Sequence, residues 1–303
     1  MLTINIPVYN IDTRPLVWQL AKQAQNLDAA VEIKIYDDGS EETAKIVNRE
    51  LQPIPGVVYS ELTKNLGRSA IRNKMAEDSR FEYLLFIDAD SKIIDENYLQ
   101  NYLDNLQNHR ILCGGTSYSS NHPKNPEKLL RWVYGSQREA ISSEDRNRKK
   151  EFIITSNNFL IEKELFLKTR FREEIGHYGH EDTLLGFDLH KKGAAPFHIE
   201  NPVEHTGLES SGKFLVKTRA ALENLYFISE NIVKNDPEFS RQVNFLNRYN
   251  KLTSMIPEIS LRQFFSMFSQ IMEKNLTGKN PRLFWFDLYK LCYYAKIKNR
   301  RPQ

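Results

Sequence analysis

Three pairs of carboxylates in this chain have the types and spacing to do chemistry. Asp88-Ala89-Asp90 sets two acids one residue apart, directly after the apolar run Tyr83 to Ile87. Two acidic oxygens so placed can hold a hard divalent cation, and that cation can hold a diphosphate. Asp is also common where a strand ends, so a capping or turn pair is the other reading of the same residues. Asp37-Asp38-Gly39-Ser40 supplies a second pair. Glu181-Asp182 supplies a third, inside Gly176-His177-Tyr178-Gly179-His180-Glu181-Asp182. A helix dipole welcomes acids at its start, which accounts for one of these two. It accounts less well for the two histidines and the tyrosine beside them. His205, in Val203-Glu204-His205-Thr206, reads by itself as a core or surface histidine.

Such distant residues meet only if the intervening elements bring them together. Leu2 to Val8 reads as a strand stopped at Pro7-Val8-Tyr9-Asn10. Leu16, Leu20, Ala24 and Leu27 then fall at helical spacing behind Pro15. Val31 to Tyr36 alternates as a second strand, and a helix carrying Ala44, Ile46, Val47 and Leu51 follows. Val57 to Tyr59 is a third strand before the loop Lys64-Asn65-Leu66-Gly67. Arg68 to Ser79 is helical and Tyr83 to Ile87 is the fourth strand. This rhythm predicts a mainly parallel α/β sheet. Three of its strands end in polar residues, at Asn10, Asp37-Asp38 and Asp88/Asp90. The carboxyl ends of neighbouring strands converge on one crevice.

Beyond Asp95 the pattern gives a helix through Tyr98, Leu99, Tyr102, Leu103 and Leu106, then a strand over Ile111 to Gly115 and a polar loop from Ser117 to Glu127. The charge run from Ser142 to Lys150 suits a solvated face or mobile loop, with a flexible lid over a donor as the functional alternative. Ile153 to Ile161 is strand-like but interrupted by polar residues. Ser156, Asn157 and Asn158 therefore line a pocket or make a structural turn. A helix follows at Lys163 to Leu167, and Ala195 to Ile199 is a closing strand. From about Lys213 the sequence turns helical. The aromatic run Leu283 to Tyr294 leads into Lys296, Lys298, Arg300 and Arg301. That combination suits either an interfacial helix on an anionic membrane or a packing element with a solvated basic tail.

With 303 residues, 40% hydrophobic and 27% charged, the chain can bury a substantial core. A net charge of +3 is too small to argue for a nucleic-acid partner. Cys113 and Cys292 stand far apart in apolar surroundings, as expected of buried free thiols in a reducing compartment. No apolar run reaches the length of a membrane span, and the first strand begins almost at Met1, so a cytoplasmic protein is expected.

Taken in order, Ile4 to Asn10, Asp37-Asp38-Gly39-Ser40, Asn65-Leu66-Gly67 with Arg72-Asn73, Asp88-Ala89-Asp90 and Gly179-His180-Glu181-Asp182 resemble the family-two inverting glycosyltransferases of the GT-A fold. The resemblance covers roughly Met1 to Thr206, and the Gly-x-Glu-Asp form is similar to the branch that builds polysaccharides with N-acetylhexosaminyl- and galactosyl-transferases. It implies a Rossmann-like mixed sheet flanked by helices. Residues 1–212 would be the catalytic domain (1–115 binding the nucleotide sugar, 116–212 the acceptor) and 213–303 a helical extension.

The same resemblance implies roles. Pro7 and Tyr9 would frame the base, with Asp38 or Asp37 accepting its imide hydrogen and Arg72 near the base or phosphates. Asp88 would bond the ribose and Asp90 would ligate Mn²⁺ or Mg²⁺, with His205 as a further metal ligand. Asn10, Asn65 and Ala89 complete the donor set. Asp182 would be the general base and Glu181 would bind the acceptor sugar.

The activity so implied is transfer of a sugar from a UDP-sugar to a hydroxyl of a glycan or lipid-linked oligosaccharide in cell-surface polysaccharide synthesis. The tail is a candidate contact with the inner face of the membrane. Two alternatives stand beside it: a nucleotidyltransferase of similar topology, whose usual glycine-rich basic loop is missing from Pro7-Val8-Tyr9-Asn10, and a sugar-nucleotide-binding protein without activity.

Overall fold

In the computed structural model, residues 1–149, 152, 154–175 and 178–299 are described. Lys150, Ile153, Gly176, His177, Arg300 and Arg301, which figure in the expectations above, lie outside them. The chain divides into two compact units. One holds Met1–Ser119, Ala140–Glu174 and Glu181–Gly207; the other holds Ser120–Glu139, Ile175–His180 and the chain from Leu208 on.

The first unit is built on a seven-stranded mixed sheet. β1 (Leu2–Val8), α1 (Arg14–Ala24), β2 (Val31–Asp37), α2 (Glu42–Arg49), β3 (Val57–Glu61), α3 (Arg68–Asp78) and β4 (Tyr83–Ile87) follow the expected alternation. β3, β2, β1 and β4 lie side by side and parallel. Pairing of Val8 with Asp37 brings the ends of β1 and β2 level. A short β5 (Ser91–Ile93) and α4 (Tyr98–Asn105) lead to β6 (Ile111–Cys113) and β7 (Thr116–Ser117). The second unit then contributes α5 (Leu129–Tyr134). Back in the first unit come α6 (Ser143–Arg148), β8 (Asn158–Glu162), α7 (Lys163–Thr169), α8 (Glu181–Lys191), β9 (Phe197–His198) and β10 (Val203–His205). β8 runs antiparallel between β4 and β6, and β9 pairs with β6. β10 pairs with β5 and β7 in a separate three-stranded sheet.

The β1 and β4 side chains are almost all buried because apolar strands with helices on both faces have no solvated side. Phe86 of β4 stacks on Phe159 of β8 with ring centroids 5.0 Å apart, joining the two halves of the sheet.

Two stretches differ from the sequence expectation. The charge run folds as α6, whose Glu144, Asp145, Asn147 and Arg148 form the expected solvated face, but Arg146 within it is buried. Its guanidinium donates to the carbonyls of Cys113, Gly114, Ile199 and Ile141 and meets His198 Nδ1 at 3.0 Å. A cation in that cage is stabilised by carbonyl dipoles in place of water. Of the polar residues Ser156, Asn157 and Asn158, Asn157 precedes β8 and its Nδ2 donates to Thr116 Oγ1 at 2.9 Å. Asn158 lies in the strand, fully buried, and its Oδ1 accepts from the hydroxyls of Tyr98 and Tyr102, each at 2.6 Å. Its Nδ2 donates to Gly115 O and Asn201 O. All its hydrogen-bonding capacity is used within the protein, which makes it structural.

The second unit is helical: α5, α9 (Ser211–Phe227), α10 (Pro237–Gln242), α11 (Asn244–Thr253), α12 (Glu258–Leu276) and α13 (Leu283–Lys298). Four of the aromatics of α13 pack inward. Phe286, Tyr289, Tyr293 and Tyr294 are buried, with Tyr289 and Tyr293 against Phe265 of α12. From Phe286 to Tyr294 the run is a packing element, while Phe284 at its start is 70% exposed. Cys113 and Cys292 are both buried and unpaired. Among the described residues, no helix is long and apolar enough to cross a membrane.

Candidate active site

The turn after β2 is locked to the loop that leads into α3. Asp38 Oδ1 accepts from the Leu66 amide at 2.7 Å and Oδ2 from the Gly67 amide at 3.1 Å, while Asn65 Nδ2 donates to Asp38 O. Burial pushes the Asp38 carboxyl up, against those two amides, and the neighbouring Asp37 adds to the rise. Asp37 Oδ1 accepts from the Ser40 amide at 2.7 Å and Oδ2 faces the Tyr59 hydroxyl at 3.4 Å. Gly39 has φ +76, and a Cβ there would stand 2.9 Å from the backbone of Asn65 and Lys64, so the close approach needs glycine. Asn10 joins the same corner: its amide donates to Ser40 Oγ, its Oδ1 accepts from the Glu41 amide, and its φ is +53. Pro7 is half-buried and Tyr9 is exposed, at the open end of β1.

Asp88 and Asp90, at the end of β4, have separate partners. Arg72 of α3, only 2% exposed, ion-pairs through Nη2 with Asp88 Oδ1 and through Nη1 donates to Arg68 O. A guanidinium buried at that depth needs a carboxylate beside it. Ala89 is half-buried between the two acids. Asp90 Oδ2 lies 3.5 Å from His205 Nδ1. The register of β10 produces this meeting: His205 pairs with Ser91, and Thr206 donates through both its amide and hydroxyl to Asp90 O. A Cβ on Gly207 would fall 2.1 Å from Asp90 Oδ2, so only glycine leaves the carboxylate where it is. Burial alone would raise the Asp90 carboxyl. The hydrogen bond and charge of His205, with Arg68 behind them, hold it below the usual carboxylate range.

The third acid pair opens α8. The chain enters through Gly179 at φ +97 and His180 at φ +67, a sharp turn that delivers Glu181 and Asp182 into the first helical turn. Glu181 is buried and meets Arg68 Nη1 at 3.2 Å. Asp182 Oδ1 accepts from the Thr183 amide at 2.7 Å. The two carboxyls are driven apart. Arg68 overcomes the burial of Glu181 and keeps it below its ordinary value. Burial, then the charge of Glu181, pushes Asp182 up to about 7. Acids separated in this way can divide acid and base duties at neutral pH.

Two residues beyond the sequence-derived set belong to this site. Arg68, the first residue of α3, touches Glu181 and acts by charge on Asp90 and Asp182. The only local sign of it was a basic residue directly after Asn65-Leu66-Gly67. Gly207 lies under Asp90, and no sequence signal marked it.

The family profile described as Glycosyl transferase family 2 matches residues 3–169, more than half of the chain. Among solved structures, the fold is similar to the mannosyltransferase PcManGT from Pyrobaculum calidifontis in complex with GDP-Man and Mn²⁺. That match has a TM-score of 0.61 and 15% identity, over 98% of this chain and 86% of that one. It is also similar to S. aureus TarS 1-349, with a TM-score of 0.51 and 15% identity over 100% of this chain and 93% of the other. The complex of TarS 1-349 with UDP-GlcNAc gives a TM-score of 0.52 and 14% identity, over 98% and 90%. A probable ubiquitin carboxyl-terminal hydrolase of Caenorhabditis elegans is 30% identical over 104 residues, 34% of this chain; the chain spans only 8% of that protein's length.

Proposed function

The chain belongs to glycosyl transferase family 2, and from that premise we propose that it moves a sugar from a UDP-sugar to an acceptor hydroxyl with inversion, aided by a divalent metal. The observation that carries this reading is the set of three acid pairs within one unit, with Arg68 reaching from Glu181 towards Asp90. The UDP-GlcNAc bound by TarS supports a UDP-sugar, and the Mn²⁺ of PcManGT supports a metal. Residues 1–115 are assigned to the donor, 116–212 to the acceptor and 213–303 to a helical extension. The acceptor class is a glycan or lipid-linked saccharide of the cell surface.

In this reading Pro7, Tyr9 and Asn10 border the base, with Asp37, Asp38 and Asn65 shaping its pocket, and Arg72 and Asp88 hold the ribose and phosphate side. Asp90 and His205 suit Mn²⁺ or Mg²⁺. One hard oxygen and one imidazole nitrogen leave coordination positions for phosphate oxygens and water. Among the described residues no group of three or more His, Cys, Asp or Glu that could hold a metal ion is assembled. When bound, such a cation neutralises charge growing on the leaving diphosphate.

The protein's own part is proton transfer and orientation. Asp182 takes the proton of the acceptor hydroxyl as its oxygen bonds to the anomeric carbon, while the bond from that carbon to the diphosphate breaks and UDP leaves. Attack opposite the leaving group inverts the centre in one step, with no second nucleophilic carboxylate. Glu181, kept charged by Arg68, is assigned to bind the acceptor sugar. A screen of UDP-glucose, UDP-galactose and their N-acetyl forms, following UDP release with and without Mn²⁺, tests the proposal. Metal-dependent release from one donor supports it; pyrophosphate release would make the chain a nucleotidyltransferase, and binding without turnover a sugar-nucleotide-binding protein.

A further inference from the structure

The second unit carries an exposed apolar face that its own packing does not use. α12 buries Leu261, Phe265, Met272 and Leu276, which fall on one side of the helix. On the other side Ile259 is 49% exposed, Met267 71% and Ile271 58%. At 100° per residue these three span an arc of about 120°. Phe264 and Phe268, half-buried with ring centroids 4.6 Å apart, border it. The residues entering the helix continue the pattern, since Met255 is 84% and Ile256 40% exposed. Side chains of this size are left in water at a cost, and apolar exposure gathered on one face, here interspersed with the polar Ser260, Gln263 and Gln270, marks a contact.

The charge around this face selects what it contacts. Residues 251–298 contain eight Lys or Arg and three acids. Each of the three acids is already matched inside the unit: Glu258 by Lys298, Glu273 by Arg219, and Asp287 by Arg138 and Lys290. The exposed arc itself holds no acid. Lys274 lies on it, and Lys279 and Arg282 are exposed just beyond the end of the helix.

We propose that the exposed face of α12 docks on an anionic bilayer surface. Ile259, Met267 and Ile271 enter the headgroup region, while Lys274, Lys279 and Arg282 meet lipid phosphates. The site differs from the aromatic α13, whose Phe286, Tyr289, Tyr293 and Tyr294 are used in internal packing and only whose first turn exposes a ring, Phe284. It is independent of the donor and acceptor assignments above.

The test is cosedimentation of the full chain with vesicles of phosphatidylcholine alone and of phosphatidylcholine mixed with phosphatidylglycerol. The protein should pellet with the mixed vesicles and not with the neutral ones, and high salt should release it. Met267→Gln with Ile271→Gln should weaken mixed-vesicle binding about tenfold or more. Both positions are exposed, so the melting temperature and UDP affinity should stay unchanged. Lys274→Glu should weaken binding without touching the apolar contact. Equal partition to both vesicles, no binding to either, or unaltered binding by the double variant overturns the proposal. So does a wild-type dimer that the double variant dissolves, because a second copy would then cover the face.

Discussion

Arg68 links the two acid clusters through one guanidinium, in contact with Glu181 and felt by Asp90 and Asp182. Replacing it with Gln removes the positive charge that keeps Glu181 ionised. The Glu181–Asp182 pair then holds its protons more tightly as a unit. A base works only when deprotonated, so the acid limb of the kcat profile should move to higher pH in Arg68→Gln, while Arg68→Lys restores part of the shift. Identical profiles for wild type and Arg68→Gln would remove Arg68 from the site. The reverse burden falls on Asp38. Both its oxygens already accept from loop amides, so its first duty is holding the 65–67 loop in place.

At the scale of elements, Asn158 is the pin between β8, α4 and the loop after β6. Asn158→Leu removes the amide that binds two tyrosine hydroxyls and two carbonyls, of which Gly115 O keeps the Val203 amide and the Tyr102 hydroxyl keeps Asn158 O. It should cost about 2–4 kcal/mol of stability, read from urea or thermal melts; a loss within error would make the network ornamental. Long apolar strands were legible in the sequence because burial on both faces leaves a compositional mark, as in Leu2 to Val8 and Tyr83 to Ile87. α6 was not legible. Its buried Arg146 satisfies carbonyls of Cys113 and Ile199, partners some 33 and 53 residues away, and local charge density says nothing of them. The small sheet of β5, β7 and β10 was equally hidden, since strands of two or three residues carry no periodicity. That sheet sets His205 beside Asp90. A lone histidine could therefore be given a role only by family resemblance.

Across the whole molecule, global stability should carry the signature of one buried imidazole. His198 is held down to about 4 by burial and by the adjacent Arg146. It stays neutral in the folded protein at pH values where the unfolded chain, with an ordinary histidine near 6.5, takes up a proton. The unfolded state thus binds more protons between about pH 4 and 6.5, and stability should fall as pH drops through that window. His198→Gln should flatten this part of the melting profile; parallel wild-type and variant curves would contradict it. The proposed activity draws on groups still further apart in the chain: the turn after β4 carries Asp90, β10 carries His205 and α8 carries Asp182. If they form one catalyst, donor binding and proton removal can be separated. Titration of UDP with Mn²⁺ into Asp182→Asn by calorimetry, beside turnover with the best donor, makes that separation directly. UDP affinity should equal that of wild type while turnover falls about 10²–10⁴-fold, the range for a lost general base. Full turnover in Asp182→Asn, or loss of UDP binding along with it, would contradict the assignment.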